Sequence, residues 1–210
     1  MYQPISFREN DLNAQLALVR ANPLGMLISY GQHGLLADPV PFLIDTDEHG
    51  LVTLRAHVAR ANPHWQVLQT VQECLVVFQG SEGYISPSWY ATKRLNGKAV
   101  PTWNYAVVQM WGMPKIIQEL SWLRCQLSGL TALQESKQPD PWCIDDAPAS
   151  YMAAQMKGIV GIEIVVTRCE GKWKMSQNRN TEDVDGVIAG LRQGDSEQQK
   201  LADEVEQRRG

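Results

Sequence analysis

Nothing in this chain pairs its cysteines. The four of them, Cys74, Cys125, Cys143 and Cys169, stand far apart and form no CxxC. A zinc site built on thiolates is therefore disfavoured, and reduced thiols are expected. Long apolar runs are missing too. The longest, Cys74-Leu-Val-Val-Phe78 and Ile162-Glu-Ile-Val-Val166, are of strand length, far from the ~20 residues of a membrane span. No basic stretch followed by an apolar one opens the chain, so no signal peptide is read, no membrane partner is expected, and the cytoplasm is the expected compartment. Positive charge is not in excess either. The net charge is −4, whereas nucleic-acid binders ordinarily show a basic patch or balance. Glycine-rich phosphate loops and the GxSxG nucleophile elbow are absent. No Ser or Cys sits with a placed His in a defensible nucleophilic pair. His57 and His64 lack a third ligand, so no metal site is read.

What is present is a chain of 210 residues, enough for one large domain with a real core. Residues 10–21 read as a helix with Leu12, Leu16 and Val19 on one face. Strands are read at 25–30, 35–44 and 51–56, joined by turns too short for parallel crossovers. Pro39 and Pro41 put the second strand at an edge or bulge. Asn62-Pro63 starts a helix running to about residue 71. A fourth strand is read at 74–79 and a fifth at 104–117, with Gly112 a possible bulge. Residues 119–135 form a helix with Leu120, Leu123, Leu127 and Leu130 as its apolar stripe. A short helix near 149–156 precedes a sixth strand at 159–168, and after a turn at Gly171 a seventh begins at Lys172. Residues 181–209 are helical and charged, broken at Gly194. The pattern predicts an α+β fold, an antiparallel β-barrel or half-barrel with peripheral helices.

Three segments carry chemistry. The densest is Tyr84-Ile-Ser-Pro-Ser-Trp-Tyr90 with Val100-Pro-Thr-Trp-Asn-Tyr105. Rings beside hydroxyls and an amide suit a flat, polar, aromatic ligand, through stacking area and directional hydrogen bonds. The bland alternative is a packed hairpin with Trp89 and Trp103 in the core. The second segment is Ala56-His-Val-Ala-Arg-Ala-Asn-Pro-His-Trp65, where a strand ends, a helix begins and Arg60 stands at the junction. Such a turn can hold a phosphate, but spacing alone favours a plain capped helix with a surface arginine. The third is Lys172-Trp-Lys-Met-Ser-Gln-Asn-Arg179, where Lys174, Ser176, Gln177, Asn178 and Arg179 read equally as a donor cluster or as a polar turn entering a helix. The helical segment around Gly129 makes a weak helix-turn-helix match without basic flanks.

Taken together, these segments resemble the PaiB family, FMN-binding negative regulators of transcription. The resemblance also rests on Met1-Tyr2 with Pro4 and Phe7, on Pro41-Phe42, on Lys93 and on Val160-Gly-Ile162, and runs from Met1 to about Leu191. It implies the FMN-binding split β-barrel related to pyridoxamine phosphate oxidases, as a homodimer with FMN at the subunit interface. Residues 1–192 would then be the FMN-binding domain and 193–210 a charged helical tail. The resemblance implies FMN contacts from His57, Ala59, Arg60 and Asn62, with the phosphate beside that turn. It also implies contacts from Ser88, Trp89 and Lys93, from Thr102, Trp103 and Asn104, and from Ser176, Gln177, Asn178 and Arg179.

The implied function is an FMN-binding negative regulator of transcription, acting directly or indirectly. The alternative is an FMN-dependent oxidoreductase or flavin reductase acting on a small molecule. No catalytic acid or base is named, because a flavin supplies the chemistry and the protein orients it. DNA stays a partner without support from charge or motif.

Overall fold

The computed structural model describes residues 1–209. In chain order the elements are β1 (Arg8–Glu9), α1 (Leu12–Ala21), β2 (Leu24–Gly31), β3 (Gly34–Pro41), β4 (Leu43–Thr46), β5 (Val52–Ala59), α2 (His64–Leu68) and β6 (Cys74–Ile85). They continue with α3 (Ala91–Asn96), β7 (Thr102–Ile117), α4 (Leu120–Glu135), α5 (Ala149–Lys157), β8 (Ile159–Lys174), α6 (Thr181–Leu191) and α7 (Ser196–Gln207). Single 3-10 turns lie at Ile5–Phe7 and Pro87–Trp89. The strand order is β3-β2-β6-β7-β8-β5-β4, with β1 paired to β8. The registers of β1–β8, β2–β3, β2–β6, β4–β5 and β5–β8 are all antiparallel. The expected α+β antiparallel class is what the chain forms, and the proline-bearing β3 lies at the edge, where missing N–H groups cost no ladder bond.

The chain divides into two compact units. The first is Met1–Leu18, Gln79–Val108 and Glu170–Gly210, and the second is Val19–Phe78 and Gln109–Cys169. In the second unit strict alternation buries Val52, Leu54, Ala56 and Val58 of β5. They join Leu27, Val76, Met110, Ile162 and Ile164. Phe42 meets Phe78 edge-on at 5.7 Å. In the first unit Ile85, Tyr90, Ala106, Val108, Val187 and Leu191 are buried. Residues 193–210, read as a charged tail, contain α7. Its capping box is made by Asp195 and Gln198, and it buries Leu201, Ala202 and Val205.

Several sequence expectations need correction. The turn at Gly171 is absent, and β8 runs unbroken through it. A Cβ there would lie 2.8 Å from Gln15 Cγ and 2.9 Å from Trp173 Cζ3, so the glycine answers to close packing, not chain reversal. Gly112, by contrast, lies within β7 as expected, and a Cβ there would come 2.3 Å from the Val165 carbonyl oxygen. The single strand at 35–44 is split at Phe42, whose N–H leaves the ladder and donates to Pro23 O at 2.8 Å. β6 continues to Ile85, well past Gln79, and α3 was not foreseen. The helix after Asn62-Pro63 is shorter than expected, ending at Leu68. In α4, Leu123 is buried but Leu120 is 47% exposed, and Gln126 takes a buried place instead.

Candidate functional site

The aromatic segment belongs entirely to the first unit. After β6, Ser86 Oγ accepts from Ser88 N and Pro87 opens a 3-10 turn. This turn lays Trp89 on α6, where a Cβ on Gly190 would stand 2.3 Å from Trp89 Cδ2 and one on Gly186 1.9 Å from Trp89 O. Trp89 is therefore a packing residue against two helical glycines. Exposed Lys93 donates to Ser88 Oγ at 3.2 Å.

Along β7 the strand alternation sorts the remaining candidates. Asn104 points inward and is fully buried, while Trp103 stays 51% exposed. Asn104 Nδ2 donates to Ser176 Oγ at 2.9 Å. Ser176 takes a left-handed φ of 66°, sparsely populated for a residue with a side chain. Gln177 folds back on its own turn, accepting from Met175 N and donating to Trp173 O, both at 2.7 Å. Arg179 lies 4.6 Å from the Tyr90 ring centroid, and Asn178 is exposed. Asn104, Ser176 and Gln177 thus build the turn, and Trp103, Asn178 and Arg179 are what it presents.

Two lysines of the third segment, neither of them among the implied FMN contacts, complete this face. Lys172 is nearly buried, its Nζ 5.6 Å from the Tyr2 ring and 5.2 Å from the Tyr105 ring. Lys174 donates to Thr102 Oγ1 and, at 2.6 Å, to Trp103 O. Burial, then the charges of Lys172 and Arg179, hold the Lys174 amine below the usual lysine range. Among the described residues, no carboxylate pairs with Lys172, Lys174 or Arg179. Trp103 and the half-exposed Tyr84 stand edge-to-face at 6.4 Å. This one unit therefore combines an open aromatic surface with unmatched positive charge, a combination suited to a planar anion. Lys172 opens the third segment and lies two residues from Lys174, on the same strand face.

His57, Ala59, Arg60 and Asn62 belong to the second unit. Arg60 is exposed but engaged. Its Nε donates to Lys157 O at 2.8 Å, Nη1 to Gln118 Oε1 at 2.7 Å and Nη2 to Ile159 O at 3.1 Å. Part of the guanidinium fork remains free for an anion. The helix that follows is only five residues long and its first N–H, on His64, donates to Asn62 Oδ1, so the turn offers an anion little beyond Arg60. Ala59 ends β5. His57 Nδ1 lies 2.8 Å from Gln126 Oε1, and the buried Gln126 Nε2 has no hydrogen-bond partner.

The sequence also concealed a relay. Ser29 Oγ lies 2.8 Å from His64 Nε2, and His64 Nδ1 lies 2.7 Å from Asp38 Oδ2, which also accepts from Asn62 Nδ2 at 3.2 Å. The order of groups is that of a Ser-His-Asp hydrolase. Ser29 is 4% and His64 1% exposed, leaving no surface for an acyl substrate. The relay instead ties the β2–β3 hairpin to the turn that carries Arg60. Two hydrogen bonds from His64 and Asn62, with the His64 charge, outweigh burial and hold Asp38 below its ordinary carboxylate range. Among the described residues, no group of three or more His, Cys, Asp or Glu is placed to hold a metal ion, and no helix is long and apolar enough to cross a membrane.

A family model described as "Putative FMN-binding domain" matches residues 1–168. The chain is 31% identical to the "Protease synthase and sporulation protein PAI 2" of Bacillus subtilis, over 91% of this chain and 89% of that protein. It is 34% identical to an uncharacterized protein of Emericella nidulans, over 91% and 90% of the two chains. Among solved structures, an FAD and heme binding protein from Mycobacterium smegmatis superposes with a TM-score of 0.61 at 13% identity, covering 87% of this chain and 80% of that one. The flavocytochrome Anf3 from Azotobacter vinelandii gives 0.57 at 13% identity, covering 85% and 75%. At such identities the structures speak to fold alone, and the fold is the antiparallel split β-barrel of α+β class.

Proposed function

The chain belongs to the FMN-binding domain family, and on that premise we propose that it holds FMN against the exposed face of its first unit. The observation that carries this reading is the open Trp103–Tyr84 surface beside Lys172, Lys174 and Arg179, cations without carboxylate partners. FMN presents a flat ring system and a phosphate dianion, and this face answers both needs. Trp103 would offer stacking area, and the cations would favour negative charge on the ligand. Bound FMN supplies electron-transfer chemistry; this chain's residues orient it and set the local charge. Arg60, in the second unit, is the other candidate for the phosphate, and mutation separates the two.

The proposed assembly is a homodimer. The β2–β3 register pairs Leu24 with Pro41, Met26 with Pro39, Ile28 with Ala37 and Tyr30 with Leu35. Leu24, Tyr30 and Leu35 are 63%, 72% and 73% exposed. One side of this hairpin is thus wholly apolar and open, which is costly in water and suited to a second copy. Leu35→Glu should give a monomer by light scattering. If FMN lies at the subunit interface, that monomer also loses FMN.

The finer role we propose is negative regulation of transcription by the flavin-bearing protein, supported by the relationship to the Bacillus subtilis sporulation protein. The net charge of −4 favours an indirect route. The deciding experiment has two stages. First, purified protein is titrated with FMN and flavin fluorescence is followed. Saturable quenching that weakens in Trp103→Ala supports the site, and no uptake of FMN sinks it. Second, the loaded protein is assayed for salt-dependent binding to its own promoter and for NAD(P)H oxidation. Promoter binding supports direct regulation, whereas turnover without it makes the protein an oxidoreductase.

A further inference from the structure

We propose that the second unit carries a separate binding site for a small amphipathic monocarboxylate, an acid with one anionic head and an apolar body. The site is a half-open cavity of about 560 Å³, within the size range of small-molecule pockets. One wall is Phe42, Leu43 and Ile44, from β4 and the residue before it, and the other is α4. None of its lining residues is among those assigned above to FMN, and the proposal does not depend on that assignment.

The walls are apolar because β4 and α4 face each other through Leu43, Ala132 and Leu133. They come close at Gly129, where a Cβ would lie 2.9 Å from Leu43 Cδ1. A ligand body entering here loses water from both walls, which is favourable in proportion to the apolar area covered.

The charges at the mouth define the head group. Arg55 donates to Asp45 through Nε at 2.6 Å and through Nη2, so this pair neutralises itself. Arg20, in the last turn of α1, also lines the cavity. Among the described residues it has no acidic partner. The mouth therefore carries one uncompensated positive charge. A carboxylate matches it. A phosphate dianion would bring a second negative charge toward Asp45 with no cation to meet it, and a cation would be repelled by Arg20.

Cys125 lines the same cavity and its residue is exposed, which makes it a reporter of occupancy. The test titrates octanoate into the full-length protein by calorimetry, with octan-1-ol as the neutral control. In parallel, the rate of iodoacetamide alkylation at Cys125 is read by peptide mass mapping. Saturable octanoate binding is expected, with slowed alkylation of Cys125 but not of the exposed Cys143. Octan-1-ol should bind at least about tenfold more weakly, as should octanoate to Arg20→Glu, the loss expected for a charged contact. Ala132→Phe, at an exposed position, should fill the cavity and abolish binding. Octanoate that neither binds saturably nor protects Cys125 in the wild-type protein overturns the proposal. Equal affinity for octanoate and octan-1-ol overturns the assignment of the head group, and unchanged octanoate binding by Ala132→Phe overturns the location.

Discussion

Asn104 Nδ2 donates to Ser176 Oγ at 2.9 Å, joining residues 72 positions apart inside the first unit. Both read from sequence as ligand donors. They hydrogen-bond to one another, and their bond fixes where Trp103 and Arg179 emerge. Asn104→Ala leaves a buried hydroxyl without its donor and should lower stability by about 1–3 kcal/mol. Chemical denaturation checks this, and an unchanged midpoint would show that the bond does not hold the turn.

Lys174 makes FMN binding depend on pH. Its amine is held below the ordinary 10.5 by burial first, and then by Lys172 and Arg179. An arriving anion favours the charged amine, so binding is strongest while Lys174 is protonated. Affinity should fall as pH rises through that lowered pKa, earlier than an ordinary lysine would dictate. Lys174→Met should bind FMN more weakly at neutral pH and lose this slope. FMN titrations across alkaline pH decide it, and a mutant with the wild-type slope assigns the effect elsewhere.

Arg60→Ala tests the other phosphate candidate. Loss of a charged hydrogen bond should weaken FMN binding by about 1–3 kcal/mol. The same change removes donors to Lys157 O, Ile159 O and Gln118 Oε1, so the unfolding midpoint should fall as well. A lower midpoint with unchanged FMN affinity leaves Arg60 a clamp only, and points the phosphate to the lysine face.

Thiol reactivity should divide sharply. Burial, helped by the charge of Glu73, pushes the Cys74 thiol up to about 12, and its Sγ donates to Gly112 O at 3.5 Å. Cys125 and Cys143 are exposed. At pH 8 iodoacetamide should label the latter two in the native protein and Cys74 only after unfolding. Native labelling of Cys74 at a comparable rate contradicts its burial.

Much of the fold was legible because alternation is local. The strand expected at 51–56 is found, though alternation carries it on through Val58 to Ala59, and Pro39 and Pro41 announce an edge. Gly171 misled because a glycine demanded by a close neighbour looks, in sequence, like one demanded by a turn. The aromatic segment was legible as a place of unusual chemistry. Which side chains it presents was not, since that depends on strand facing and on partners such as Ser176. The Ser29–His64–Asp38 relay left no signal at all. Its members come from two strands and a helix and meet only after the hairpin is paired.

The seating of Trp89 against Gly186 and Gly190 has an optical consequence. Its indole is wedged on helix backbone, so its emission should report the packing of that helix and change when the helix loosens. Trp103 stands half in water, and a flat chromophore laid on it would extinguish its glow. The two indoles are thus lamps of different use, one that dims when a flat ligand covers it and one that follows the seating of α6.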